Sequence, residues 1–172
     1  AVLVLNAGSH APQCIAALNA GKHVLVEKPL CFTLREADEI IRAAEQAQVK
    51  LMVGYMKRYD PGYRYAQRVI KDMSDICYVQ INTLHPAEDA YLNVAGVQRF
   101  NDVPQTVLQP LLEEQEKLIT EAVGAIAQPL RASYSDAILG SMVHDINALR
   151  GLIGEPERVV YTDIWHVEAT PP

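Results

Sequence analysis

Three short runs of apolar residues limit most strongly what this chain can fold into. Ala1 to Leu5, Val24-Leu25-Val26 and Leu51-Met52-Val53 contain no polar residue and show no alternation. A strand that is apolar on both faces has to be covered on both, which is the situation of a parallel sheet wrapped by helices. The intervening segments supply those helices. Pro12 to Asn19 holds Ala16, Ala17 and Leu18, good helix formers, and Ala20-Gly21-Lys22 closes it through a glycine. Thr33 with Glu36 three residues on makes a capping box, and Ala37, Ile40, Ile41, Ala44 and Ala47 then form one apolar stripe. The alternation of strand and helix predicts right-handed crossovers within one parallel sheet.

After Gly54 the pattern changes. Tyr63 to Asp72 reads as a helix, and Ile76 to Leu84 alternates like an antiparallel strand with one wet face. His85 to Gln105, with Pro86, Gly96 and Pro104, has no period and reads as a long loop of the kind that is often functional. Val107 to Ile126 returns to helical spacing, with Pro110 expected to mark the true helix start. A last helix is expected from about Ser141 to Leu152, followed by a closing strand over Val159 to Val167. The boundary falls between Gly54 and Pro61, giving an organisation of 1–56 and 57–172.

An apolar fraction of 49% with 21% charged residues belongs to a soluble globular chain with a packed core. A net charge of −6 leaves no basic footprint for nucleic acid or an anionic membrane, so small molecules are the expected partners. Cys14, Cys31 and Cys77 form no Cys-x-x-Cys pair, which argues against a disulfide framework or zinc knuckle and points to the reducing cytoplasm. No run of about 18 apolar residues suggests a membrane span, and no signal peptide is expected. His10, His23, His85 and His166 lack metal-ligand spacing, so no metal is expected. Gly140-Ser141 lacks the second glycine of a nucleophile elbow, which speaks against serine hydrolysis.

In an open parallel sheet, ligands bind beyond the carboxyl ends of the strands. Asn6 to His10 and Glu27-Lys28-Pro29 fall there. A lysine followed by proline is held extended at that edge, where partial burial would suit it for proton transfer. The alternative is a surface lysine paired to Glu27. His144 lies near the start of the last helix with Asn147 on the same face, and its titration near neutrality suits it to take a proton from a hydroxyl. The alternatives are a buried histidine satisfied by the backbone, or a helix-start residue helped by Asp145.

Three segments in order, 20–30 with its Ala-Gly-Lys-His-Val and Glu-Lys-Pro, Met52 to Pro61, and His144-Asp145-Ile146-Asn147-Ala148-Leu149-Arg150, resemble the glucose-fructose oxidoreductase/inositol dehydrogenase (Gfo/Idh/MocA) family. The resemblance is close from Ala1 to Asp72, returns from Gly140 to Val160 and is weak over 85–137. It implies an α/β chain made of the C-terminal half of a Rossmann-type parallel sheet, followed by the start of an α+β domain whose antiparallel sheet supports a homo-oligomer. It further implies hydride transfer between NAD or NADP and a sugar or cyclitol carbon. By the same resemblance Lys28 orients the reacting hydroxyl and His144 is the acid/base. Asn6 and His10 flank the nicotinamide ribose, and Glu27, Lys28, Pro29 and Arg58 lie on the cofactor side. Tyr59, Asn147, Lys28 and His144 meet the substrate. The chain departs from the family pattern at Gly140 and Asn147, where aspartates are usual. It also has no Gly-x-Gly-x-x-Gly turn, so it is expected to be an internal fragment that binds cofactor poorly and is itself inactive. Two other readings stand beside this one: a Schiff-base lyase using Lys28, and a non-catalytic member of the fold that binds a sugar or a partner chain.

Overall fold

The computed structural model describes residues 2–4, 8–83, 94–96, 98, 102–126 and 128–163. Three parallel strands, β1 (Val2–Val4), β2 (Val24–Val26) and β3 (Leu51–Val53), lie in the order β1-β2-β3, with Val2 opposite Val24 and Val24 opposite Leu51. Helices α1 (Ala11–Asn19) and α2 (Leu34–Gln46) connect them and pack on one another. The core is the meeting of β2 with these helices: Cys14, Leu18, Val24, Val26, Ile40 and Ala43 are all buried. The fold is therefore α/β with a small parallel sheet, as the apolar runs predict.

Local chemistry sets the helix ends. Gly21, at φ +70°, donates to the Leu18 carbonyl, and Lys22 donates to that of Ala17, the paired bonds of a glycine-stopped helix. At α2 the Thr33 hydroxyl accepts from the Glu36 backbone N–H, and the Glu36 carboxylate accepts from the Thr33 N–H, completing the capping box.

The rest of the chain forms α3 (Pro61–Lys71), α4 (Gln105–Val123), α5 (Gln128–Ala132), a π-helical stretch (Ser133–Met142) and α6 (Val143–Ile153). A 3₁₀ turn (Met56–Tyr59) joins β3 to α3, whose Asp60 caps the Gly62 and Tyr63 N–H groups. Two expectations are corrected. Helix α4 begins at Gln105 and runs through Pro110, where a proline removes only the bond to the carbonyl four residues earlier. Residues 76–83 and 159–163 form no strand, since among the described residues no neighbouring strand offers them a ladder. Most of the loop expected over 85–105, and the later part of the strand expected over 159–167, lie outside the described residues.

Candidate functional site at the carboxyl edge of the sheet

The loops leaving the three strands are fixed by side chains from their own layer. Glu36 is buried, and its carboxylate accepts from the Ser9 hydroxyl at 2.5 Å and from the backbone N–H groups of Phe32 and Thr33 at 3.1 Å. One carboxylate thus caps α2 and also holds the loop after β1. His10 is buried as well, with Nδ1 at 2.8 Å from the Pro29 carbonyl. A carbonyl only accepts, so Nδ1 carries the ring proton in this bond. The ring thereby ties the loop after β1 to the loop after β2. At β3, Gly54 makes room for Glu27: a Cβ there would sit 3.3 Å from both carboxylate oxygens.

Lys28 extends from the β2 loop to the opposite wall, where Nζ donates to the Gly140 carbonyl at 2.5 Å. Glu27 accepts from the Lys28 backbone N–H at 3.3 Å, so its carboxylate meets the main chain and the ammonium goes elsewhere. Gly140 belongs to the π-helical stretch that leads directly into α6. Tyr134 pins that stretch to the sheet layer by donating to the Phe32 carbonyl at 2.6 Å.

The second residue of α6 is His144, buried at 8% exposure, with Nδ1 lacking any hydrogen-bond partner. The ring of Tyr55, from the loop after β3, stands edge-on to it with centroids 6.3 Å apart. Burial lowers the His144 pKa below its ordinary 6.5, and the charges of Lys28 and Lys57 lower it further, against weaker pulls from Asp145 and Glu27. The imidazole is therefore neutral at neutral pH and able to take a proton. Burial pushes the Tyr55 hydroxyl up, so it stays protonated beside that ring. Burial works to raise the Asp145 carboxyl, but donation from Lys57 at 2.6 Å and Thr83 at 3.0 Å outweighs it and holds the carboxyl low.

Of the residues singled out from the sequence, Glu27, Lys28, Pro29, His10 and His144 lie in or brace this edge. Arg58 and Asn147 are bonded to each other, Arg58 Nε donating to Asn147 Oδ1 at 2.5 Å. Tyr59 points away, 57% exposed with its hydroxyl on Met52 Sδ. Asn6 lies outside the described residues. Sequence reasoning missed Tyr55, although its place just after β3 puts it under the same strand-end rule. It also missed the Gly140 carbonyl, which no residue type announces. Among the described residues no group of three or more His, Cys, Asp and Glu side chains gathers as a metal site, and no helix is long and apolar enough to cross a membrane.

Residues 1–55 match the family model described as oxidoreductase family, NAD-binding Rossmann fold (GFO_IDH_MocA). The likeness to the Gfo/Idh/MocA oxidoreductases is thus carried by the strand–helix layer of residues 1–55. It is 42% identical over 117 residues to inositol 2-dehydrogenase from Salmonella typhimurium, a match covering 66% of this chain and 32% of that protein. It is 38% identical over 61 residues to 4-carboxy-2-hydroxymuconate-6-semialdehyde dehydrogenase from Sphingobium, covering 36% and 19% of the two chains. Among solved structures it is similar to scyllo-inositol dehydrogenase from Lactobacillus casei, at 38% identity over 41% of this chain and 22% of that one, with a TM-score of 0.39. The matched part of this chain thus spans 32% or less of the length of these relatives.

Proposed function

We propose that this chain contributes the proton-handling wall of an NAD(P)-dependent dehydrogenase acting on a polyol or sugar, with Lys28 and His144 as its catalytic residues. The observation that carries this reading is a lysine tethered across the carboxyl edge of the sheet beside a buried, neutral imidazole with an unpartnered nitrogen. The activity named for the inositol dehydrogenase relatives supports a polyol as substrate. The orphaned nitrogen of His144 suits a ligand hydroxyl at this edge, and the Glu27–Pro29 loop would hold the nicotinamide end of a dinucleotide beside it. NAD or NADP, when bound there, supplies the hydride acceptor or donor.

His144 takes the proton of the substrate hydroxyl, or returns it in the reverse direction, at a ring nitrogen. Lys28 Nζ donates to the same oxygen and favours the charge that develops on it. Bracing of Pro29 by His10 keeps Lys28 at the edge, and Tyr55 helps exclude water from the imidazole. On this reading the boundary between 1–56 and 57–172 separates a cofactor layer from a substrate layer. On the same reading the second layer contributes to an antiparallel sheet that supports a homo-oligomer.

The deciding experiment measures NAD(P)⁺ reduction by polyols with the intact protein and its Lys28→Ala variant. Turnover is expected to fall about 100-fold or more; near-normal rates overturn the role given to Lys28. Because the base must be neutral, kcat/KM should rise with pH through a pKa below 6.5, read from a pH profile. A protein that binds cofactor but transfers no hydride in a single turnover would be a binding member of the fold. A borohydride-trapped adduct on Lys28 would mark a Schiff base instead.

A further inference from the structure

We infer that Arg58 is the positioning residue for His144, acting through Asn147, and that Gly151 is the clearance this clamp requires. The inference rests on the acid/base reading of His144. Arg58 leaves the 3₁₀ turn after β3 and grips α6 twice, with Nε donating to Asn147 Oδ1 at 2.5 Å and a terminal guanidinium nitrogen donating to the Asn147 carbonyl at 2.8 Å. A planar guanidinium fixes both bonds together, so it sets the rotation as well as the position of the helix turn it holds. Asn147 is three residues beyond His144 and therefore its neighbour on the same helix face. One residue beyond His144, Lys57 pairs with Asp145 at 2.6 Å. Two consecutive residues of the strand-end connection thus hold the helix turn that follows His144.

Gly151 shows that the grip is built into the sequence. A Cβ at that position would lie 2.8 Å from Arg58 Cζ and would collide with the Tyr63 hydroxyl, which itself donates to the Ala148 carbonyl at 3.2 Å. Any larger residue would push the guanidinium off Asn147. The connection carrying Arg58 starts at β3 and includes Tyr55, whose ring faces His144. The imidazole is accordingly referenced to the sheet that carries Lys28.

The test compares Arg58→Ala, Asn147→Ala, their combination and Gly151→Ala in the intact protein. Each single change is expected to lower kcat by about 10- to 100-fold, the scale of a small misplacement of a reacting group. Cofactor KM is expected to stay unchanged, and the double variant should be no worse than the poorer single one. The acid limb of kcat/KM should move up toward 6.5, because water reaches an imidazole that still faces Lys28, Lys57, Asp145, Glu27 and Tyr55. Arg58→Lys keeps the charge but cannot make both bonds. It should lose kcat while retaining the urea midpoint of the parent, which separates misplacement from unfolding. A raised cofactor KM at constant kcat in Arg58→Ala would make Arg58 a cofactor contact and overturn the inference. Additive losses in the double variant, or near-normal kcat in the single variants, would overturn it as well. Full turnover in His144→Ala would instead remove the acid/base reading on which it rests.

Discussion

The two halves of this chain use similar residues to opposite ends. Between Ala11 and Val53 the valines, leucines and isoleucines on the inner faces are buried against one another. Beyond Pro61 the described apolar residues stay largely open: Val159 and Val160 are 78% and 79% exposed, and only Leu118 and Ile119 of that half are buried hydrophobics. The contrast does not come from hydrophobicity alone, since the second half also carries runs of apolar residues such as 76–79 and 159–161. It comes from partners. Each strand of the first half has a neighbour and a helix over it, while 76–83 and 159–163 pair with no strand among the described residues. An alternating apolar pattern is a requirement for a neighbouring strand and does not by itself provide one.

The sharpest way to break this contrast is to hollow out each half in turn. Ile40→Ala, fully buried between α1 and α2, should cost about 2–5 kcal/mol, read as a fall in urea midpoint at constant m-value. A loss well under that range would show that the first half is not the cooperative core. Glu36→Ala should cost about 2 kcal/mol, because it leaves two backbone N–H groups without their acceptor, removes the bond from the Ser9 hydroxyl and unmakes a helix cap. It should also loosen the loop after β1, which amide exchange at residues 8–10 would register. Val160→Thr should change stability by less than about 0.5 kcal/mol. A larger loss would mean that this segment is covered after all and that the contrast is drawn too strongly.

The legible parts of the fold were those whose causes lie within a few residues. The Thr33–Glu36 box, Gly21 at the end of α1 and the three apolar strands each declare their structure locally. Pro110 misled because one missing hydrogen bond does not stop a helix of nineteen residues. At the candidate site, Lys28 and His144 could be picked out by residue type and by position at a strand end or helix start. Their surroundings could not. The bond from Lys28 spans 112 positions to a glycine carbonyl, and that from Arg58 spans 89 positions to an asparagine. A backbone carbonyl has no signature in a sequence, and the glycine that clears space for Arg58 looks like any other glycine in a helix.

The π-helical stretch from Ser133 to Met142 has a further consequence. Each residue added to or removed from a helical segment turns everything after it by about 100°. This wide-wound stretch lies between the anchor at Tyr134 and the helix bearing His144, so its residue count acts as the phase setting of that helix. Deleting a single residue there would preserve every side chain of the site in composition, yet it would rotate the imidazole away from the edge where Lys28 waits.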